Sequence, residues 1–388
     1  MSGFSDTYVR ARGIVVNSRG FSIVELLIVM VIFVTVMMIT SDAFKTIVHS
    51  TARQSKSLET QISGIVGLEV LRADLEQAGF GLPWSFQNTL SGYQEAAITT
   101  YNDATADVPR AIVSGPNKDL FGSYTGSKYI SIKSTVIANN ESAKKWTNVS
   151  FANGTKTRKE WGDPNRDLAD NDKVIVVKNS LTTTPPTREL MVNGTTGTFF
   201  ATFGTYTTLT VTARDGETYQ VYGIAPENIT SLRMPFNRAD YYLGIPSPAS
   251  DLPASCAPNT GVLYKATINH GNGARNPMPL LDCVADLQIV YGLDTSGSGS
   301  INDYTTVAPG TAAEQRAQIK ELRVYLLVQD GSRDTLYNFP SQVFDVGETL
   351  NGSFTGRRFN LPAVIGNDYK YYRWKLYTIV VRPKNLIQ

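Results

Sequence analysis

The chain has 388 residues, of which 42% are hydrophobic and 18% charged, and this composition is typical of a globular protein with one large domain or two smaller ones. The formal net charge is +2, and residues 1–20 already carry +2 through three arginines and one aspartate, so the remainder is neutral. A neutral body argues against a dominant electrostatic role such as broad nucleic-acid binding.

The first predicted element is an apolar helix over residues 21–39. With a rise of about 1.5 Å per residue, a helix of 19 residues spans roughly the core of a bilayer. The arginines before it predict that residues 1–20 stay in the cytoplasm and that the body lies on the other side of the membrane. Because no Ala-x-Ala site follows the apolar stretch, a membrane anchor is favoured over a cleaved secretory signal.

Glu25 is the one charged residue within this apolar stretch. A charge at the bilayer centre costs about 2.5–3.5 kcal/mol on insertion scales, so an acid in such a helix usually has a function. Gly20, Phe21 and Glu25, followed by the apolar run, resemble the class III signal of type IV prepilins. The resemblance implies that a prepilin peptidase cuts between Gly20 and Phe21 and methylates the new amino terminus, and that Glu25 is the acid at the fifth mature position.

Physical reasoning assigns Glu25 a role in assembly. After cleavage, the amine of Phe21 lies about 6 Å along the helix axis from Glu25. When helices pack side by side with an axial offset, the amine of one subunit can meet Glu25 of its neighbour, and the pairing offsets the cost of burying the carboxylate. A subunit in the wrong register leaves the acid unpaired. The alternative is a glutamate that extends toward the membrane interface without a partner.

The helix is predicted to continue past the membrane, because no proline occurs between Phe21 and Ala78. Leucine and isoleucine recur at spacings of three and four, the period of a helix with one apolar face. This stripe comprises Leu58, Ile62, Ile65, Leu68, Leu71 and Leu75. Two glycines and Pro83 then predict its end. The expected organisation is a leader (1–20), a transmembrane and assembly half of the helix (21–50), a soluble half (51–82) and a β-rich globular domain with long loops (83–388).

After Pro83 the pattern changes to short strands separated by turn residues. The predicted strands are 128–137, 172–178, 205–213, 218–225, 261–268, 282–294, 319–330 and 371–383. In the segment 319–330, apolar residues alternate with others, as in a strand with one buried face. Residues 90–125 and 179–200 are expected to be long loops. The fold class is therefore α+β, with a long N-terminal helix against a large β-rich domain.

Three further segments resemble the PilW-like minor pilins: "VLRADLEQAGFG" at the end of the first helix, "LDCVADLQIVYGLDTSGSGS" (281–300) and "YRWKLYTIVVRPKNL" (372–386). The resemblance implies a pilin-like fold and a structural, non-enzymatic subunit that primes or joins type IV pilus assembly near the tip. It implies location in the bacterial inner membrane with a periplasmic body, and later in the extracellular pilus. The implied partners are other minor and major pilins, a PilY1-type tip protein, the prepilin peptidase and the inner-membrane assembly platform.

The two cysteines, Cys256 and Cys283, are separated by 26 residues and form no Cys-x-x-Cys motif. If the body lies outside the cytoplasm, the pair is expected to form a disulfide worth about 3 kcal/mol in the chain-entropy model. If the body is cytosolic, they are two unrelated thiols.

One loop has the spacing of a calcium site. Asp294, Ser296 and Ser298 occupy the first, third and fifth positions of an EF-hand-like pattern that has Gly299 at the sixth. Asp294 is the only carboxylate among those three positions, so the set would bind calcium weakly, and a flexible hairpin loop is the favoured interpretation. No cofactor is otherwise expected.

The sequence offers little material for catalysis. The two histidines, His49 and His270, have no partners at the spacing of a metal site or a catalytic triad, and no Gly-x-Ser-x-Gly or P-loop motif occurs. Near the end of the chain, Tyr371, Tyr372, Arg373 and Trp374 are interpreted as part of a core strand rather than an interface hot spot.

Two alternatives to a pilus subunit remain open from the sequence. A large pseudopilin of a type II secretion system shares the same N-terminal signal. A membrane-anchored adhesin, binding domain or enzyme that carries a pilin-like signal is the second, and a ligand site or polar cluster within residues 85–250 would support it.

Overall fold

A computed structural model describes residues 22–98, 100–104, 107–117, 126–153, 155–180, 187–210 and 213–386, with the side chains of residues 42, 43 and 45–64 outside the description. The chain divides into two compact units, Met1–Ser55 and Lys56–Gln388. One helix, α1 (Ile23–Glu76), contributes to both units, and the second unit contains the whole β-rich body.

The described residues contain two shorter α-helices, α2 (Ala312–Gln318) and α3 (Leu361–Val364). The strands, in chain order, are β1 Ser85–Phe86, β2 Ile112–Pro116, β3 Lys128–Ser134, β4 Trp146–Ala152, β5 Thr155–Arg158, β6 Lys173–Ser180, β7 Thr187–Leu190, β8 Ala201–Thr202, β9 Thr218–Ala225, β10 Asn237–Gly244, β11 Gly261–Ile268, β12 Arg275–Leu293, β13 Asp303–Thr305, β14 Ile319–Asp330, β15 Val343–Leu350, β16 Ser353–Asn360 and β17 Arg373–Val381.

These strands form two sheets and a separate hairpin. The eight-stranded sheet has the order β17-β14-β12-β11-β10-β3-β2, with β13 paired to β12, and its neighbours are antiparallel. The seven-stranded sheet has the order β1-β7-β6-β9-β4-β5, with β8 paired to β6 and a short parallel pair of β1 and β7. β15 and β16 form the hairpin. The predicted α+β class, a long helix with a large β-rich body, is confirmed.

Helix α1 ends at Glu76, six residues before the end of the predicted soluble half of the helix at residue 82. The backbone N–H of Gly79 donates to the carbonyl of Lys133 in β3, so the chain has already turned onto the large sheet at this point. Gly79 has φ +82°, a conformation that glycine adopts without steric cost. The two glycines and Pro83 therefore correctly predicted that the helix ends in this region. The hydrogen bond from Gly79 to Lys133 accompanies the turn that ends it.

The apolar stripe of α1 is only partly a buried face. Leu71 and Leu75 are fully buried and Leu68 partly so, but Ile65 is 62% exposed, which makes its assignment to the packed stripe wrong. Among the described side chains of this half of the helix, the sheet covers α1 from Gly67 onward, where an added Cβ would lie 2.5 Å from the carbonyl oxygen of Leu280 in β12. Leu58 and Ile62 lie outside the described side chains.

The predicted strand at 205–213 is wrong over residues 205–209, because Phe203–Leu209 form 3₁₀ turns with a kink at Thr205; residues 211 and 212 lie outside the described residues. The buried side chains of this segment, Phe203, Tyr206 and Leu209, recur every three residues, which is the 3₁₀ period. Its threonines bond locally: Thr208 Oγ1 donates to the carbonyl of Thr205. The β-branched composition had suggested a strand, but local hydrogen bonding and the three-residue period favoured the helix.

The regions expected to be long loops contain strands as well. β2 lies within residues 90–125 and β7 within 179–200. Another strand, β10, was missed because its sequence, NRADYYLG, contains charged residues, yet every residue of β10 is buried. Its charges are satisfied partly within the strand, where Arg238 pairs with Asp240, and partly by Glu95 from a distant part of the chain, which periodicity within one segment cannot reveal.

Strand β14 is buried on both faces rather than one. Leu322, Val324, Leu326 and Val328 face the main core, as the alternation predicted. Tyr325 and Leu327 on the other face are also buried, since they pack with Val346 and Phe359 of the β15–β16 hairpin. The expected half-buried strand is therefore wrong, and the hairpin that covers its second face explains the difference.

A buried asparagine joins the two sheets, and a buried histidine bonds to it. Asn237 at the start of β10 donates from Nδ2 to the carbonyls of Thr135, just after β3, and Ile224 in β9. Its Oδ1 lies 3.1 Å from Nε2 of His270, in the turn between β11 and β12, so Nε2 is the donor. Burial, with a contribution from Arg233, lowers the pKa of His270 to about 4. The histidine is therefore neutral at neutral pH, and it lies in the interior rather than in an exposed turn.

We predict that this histidine makes the body less stable in acid. Because the pKa of His270 is about 4 in the folded state and about 6.5 in the unfolded state, its contribution is present above pH 6.5 and is lost as the pH falls toward 4, by about 3 kcal/mol in all. The thermal midpoint of the full chain in detergent should fall by several degrees more between pH 7 and pH 4.5 than the midpoint of His270→Gln.

The comparison with His270→Gln removes other titrations from the result. Asp286 has its pKa raised to about 6 by burial, so it acts in an overlapping range and with the opposite sign, but it is present in both proteins. Equal pH dependence in the two proteins would contradict the role assigned to His270.

Candidate assembly site

The described chain begins at Ser22, immediately before α1, and its first turn is organised by Glu25. The carbonyl of Ser22 accepts the first helical bond, from Leu26 N–H. Glu25 Oε2 accepts from Ser22 N–H at 3.1 Å, and Ser22 Oγ accepts from Val24 N–H at 3.3 Å. This reciprocal arrangement resembles a capping box. The negative charge of an acid in the first turn also interacts favourably with the helix dipole. Gly20 and Phe21, the predicted cleavage site, lie outside the described residues.

Glu25 therefore has a local partner that the sequence interpretation had not considered. The Ser-x-x-Glu spacing is itself the signal that would have revealed it. Only one carboxylate oxygen is used, because Oε1 has no hydrogen bond among the described residues. The side chain can therefore cap its own helix and still offer an oxygen to another molecule.

The apolar part of α1 is uncovered. Residues Ile23–Ser41 are long and apolar enough to cross a membrane, and the side chains of this stretch are exposed to the surroundings. Exposed large apolar side chains over such a length need lipid or other helices around them. This part of the unit Met1–Ser55 is thus an anchor and a packing surface in one element.

The end of α1 is fixed to the body by a buried ion pair. Asp74 Oδ2 lies 2.6 Å from Lys265 Nζ in β11 and accepts a hydrogen bond of 2.5 Å from the hydroxyl of Tyr241 in β10. Burial raises the pKa of Asp74, and Lys265 and Tyr241 oppose that shift by stabilising the charged form. Leu71 and Leu75 of the same helix are fully buried beside this pair.

A second polar cluster lies inside the body, within residues 85–250, where a polar cluster would favour the binding-domain alternative, but its carboxylates and cations are paired with one another. Lys133 in β3 contacts Glu95 and Asp103, at 2.8 and 2.6 Å. Arg238 in β10 contacts Glu95 at 2.9 Å and Asp240 at 2.7 Å.

Arg110 completes the cluster by contacting Asp103 at 2.7 Å, so three carboxylates face three cations. Burial acts to raise the pKa of Asp103, but Lys133 and Arg110 outweigh it and hold that pKa below its usual value. The balanced charges hold the segment 95–110 on the large sheet.

Cys256 and Cys283 form a disulfide, with a Cα–Cα distance of 5.0 Å. It links the segment before β11 to the middle of β12.

Asp294, Ser296 and Ser298 lie together, but the carboxylate of Asp294 accepts from the backbone N–H groups of Ser298 and Gly299 and from Ser296 Oγ. These bonds hold the pKa of Asp294 below its usual value against the effect of desolvation. Among the described residues there is no group of three His, Cys, Asp or Glu side chains suited to a metal, and the calcium site stays a prediction.

The terminal aromatic residues belong mainly to the core. Tyr372 and Trp374 are buried beneath the β15–β16 hairpin, whereas Tyr371 and Arg373 are partly exposed. His49 lies outside the described side chains.

Two protein-family models match the chain. The prokaryotic N-terminal methylation motif matches residues 16–41, and the type IV pilus-assembly protein W family matches residues 253–385, about a third of the chain. Both matches support a PilW-like minor pilin of the type IV pilus. Comparisons with curated proteins and with solved structures gave no match.

The two matched regions of the PilW-like pilin have different structural roles. The methylation motif includes the capped start of α1 and its uncovered apolar stretch, which anchors the chain in the inner membrane before it enters the pilus. The PilW region contains the disulfide, the Asp294 loop and the strands β11 to β17. Pilins are structural proteins rather than enzymes.

We predict that the disulfide stabilises the body of this PilW-like pilin by about 3 kcal/mol, because it closes a loop of 27 residues in the unfolded chain. The double substitution Cys256→Ala and Cys283→Ala should lower the thermal midpoint of the full chain, and reduction of the wild type should lower it to a similar value. The double variant itself serves as the control, since a reductant should not change its midpoint. An unchanged midpoint on reduction of the wild type would refute the prediction.

Proposed function

We propose that Glu25 accepts the cationic amine of a neighbouring pilin and thereby sets the register in which this subunit joins the pilus. A single observation carries the proposal: Glu25 Oε1 is unbonded among the described residues, at the start of an apolar helix that has no covering of its own. In a packed bundle of such helices, a lone carboxylate is costly unless a cation reaches it.

Processing between Gly20 and Phe21 by a prepilin peptidase, with methylation of Phe21, belongs to the same proposal. It would produce the amine that each subunit offers to its neighbour. The match to the N-terminal methylation motif at residues 16–41 supports this interpretation.

We further propose that the subunit primes assembly near the tip, together with other minor and major pilins, a PilY1-type tip protein and the inner-membrane assembly platform. The size of the body, which is formed by Lys56–Gln388, supports a position where few neighbours crowd it. The match to a pilus-assembly family favours this function over that of a secretion pseudopilin.

We predict that Glu25→Ala will be processed normally but will be lost from filaments. Without Glu25, the amine of a neighbour has no partner among the packed helices, at a cost of several kcal/mol, so the amount in sheared pili should fall at least about tenfold. Intact-mass measurement of the membrane fraction should show both wild type and variant starting at methylated Phe21.

Two further variants separate pairing from capping. Glu25→Gln retains an oxygen that can accept from Ser22 N–H but has no charge, and it should fail to incorporate as Glu25→Ala does. Ser22→Ala removes the hydroxyl cap but keeps the acid, and it should incorporate. Normal incorporation of Glu25→Gln would sink the ion-pair proposal, and a wild-type chain that keeps residue 1 would refute the processing.

We predict that the body will be found at one end of each pilus. An antibody to the body with a gold label should mark a single end of intact pili, and pili from a strain that carries Glu25→Ala should lack the label. Label distributed along the shaft would contradict a position at the tip without affecting the assignment of Glu25.

A further inference from the structure

A cavity of about 430 Å³ lies beside α2, at the edge of the buried charge cluster. Its lining includes Trp84, Asn102, Asp107, Arg110 and Arg316. We call it the Trp84–Arg316 pocket. It has room for one or two amino-acid side chains, and six of its eleven lining residues lie outside the segment matched to the PilW family.

The walls of the pocket are held by buried polar contacts. On one side, the fully buried Gln315 of α2 donates to the carbonyl of Ile112 and accepts from its N–H, which fixes α2 to β2. On the other side, Arg110 is bonded to Asp103 of the buried charge cluster and donates to the carbonyl of Gly310 at 3.4 Å. A ligand would therefore meet a preformed site and would cause little loss of side-chain freedom.

The distinctive group in the pocket is Arg316. Its guanidinium lies 4.9 Å from the centre of the Trp84 ring, and a second guanidinium, that of Arg188, lies 5.9 Å from the same ring. Burial lowers the pKa of Arg316, and repulsion from Arg188 lowers it further. Within the described chain, Arg316 has no carboxylate inside 4.0 Å and no hydrogen bond, although it is half buried.

The acids near the pocket do not supply the missing charge. Asp103 is already engaged by Lys133 and Arg110. Asp107 is exposed and makes no ion pair with Arg316 in the described structure. Arg188 is no better satisfied, since its Nε is buried without a partner while Nη2 donates to Tyr222. Two neighbouring cations without counter-charges favour an anionic ligand.

We propose that the Trp84–Arg316 pocket binds a carboxylate side chain of another protein subunit. The planar guanidinium can donate two parallel hydrogen bonds to a carboxylate, and Trp84 provides an apolar surface for the stem of a glutamate or aspartate. The choice of a protein partner rather than an acidic sugar rests on the proposed function, because a subunit that joins a pilus together with other minor pilins contacts them. The pocket would then be a docking point for an acidic loop of a neighbour.

Binding can be measured on the full chain in detergent micelles labelled with 5-fluorotryptophan. The protein has four tryptophans, and Trp84→Phe identifies the fluorine signal of Trp84. The probes are acetyl-Ala-Glu-Ala-amide and the matched acetyl-Ala-Gln-Ala-amide, with glucuronate as an acidic sugar. The glutamate peptide should shift the Trp84 signal with saturation, and the glutamine peptide should bind at least about tenfold more weakly because it lacks the charge.

Variants test the residue assignment. Arg316→Gln should weaken binding of the glutamate peptide at least about tenfold, whereas Arg382→Gln, which changes an arginine that is 74% exposed, should leave binding unchanged. Arg316→Gln should also keep or raise the thermal midpoint, because it removes the repulsion with Arg188. A lower midpoint would show that Arg316 is a structural residue and would overturn the proposal.

The other outcomes are equally decisive. Equal binding of the two peptides, or binding that does not depend on Arg316, would overturn the carboxylate site. Stronger binding of glucuronate than of the glutamate peptide would replace a protein ligand by an acidic sugar. Because these measurements use the isolated chain, their failure would leave the filament experiments on Glu25 unaffected, and the converse also holds.

Discussion

The ion pair between Asp74 and Lys265 fixes the position of the long helix α1 on the body of the protein. It joins the end of α1 to the middle of the large sheet, and Tyr241 donates a second bond to the same carboxylate. Leu71 and Leu75 supply the apolar burial, but such contacts alone tolerate a rotated or shifted helix. A charged bond of fixed geometry in a buried site permits far fewer arrangements.

The buried charge cluster applies the same principle within the body. Glu95 and Asp103 lie on a segment with little regular structure, yet both are bonded to Lys133, and Glu95 is also bonded to Arg238. Removing one partner from such a cluster typically costs about 3–5 kcal/mol, because a charge is left buried and unpaired. The segment is therefore held as firmly as a strand. Its far end, at Arg110, forms one wall of the Trp84–Arg316 pocket, so an interior network positions a surface feature.

The correct predictions rest on patterns of neighbouring residues along the chain, whereas the wrong ones concern segments whose burial or pairing the local pattern does not show. Strands such as β11 and β14 were predicted because their side chains alternate, and alternation reflects burial against one neighbouring layer. β10 was missed because Arg238 and Asp240 make it look exposed, although each neutralises the other in the interior. Residues 203–209 looked like a strand because threonine is β-branched, but their buried side chains follow a period of three.

The sequence by itself determined the prepilin-like start, the membrane-length apolar helix, the α+β class and the pairing of the two cysteines once the body is placed outside the cytoplasm. These features depend on neighbours along the chain, on composition, or on there being only two thiols to join. Only the tertiary structure decided that His270 bonds to the asparagine that joins two sheets, and that Arg316 lacks a counter-charge among the described residues. Both depend on groups from distant segments, and the partner of a polar side chain across such a distance is set by the fold and not by its place in the sequence.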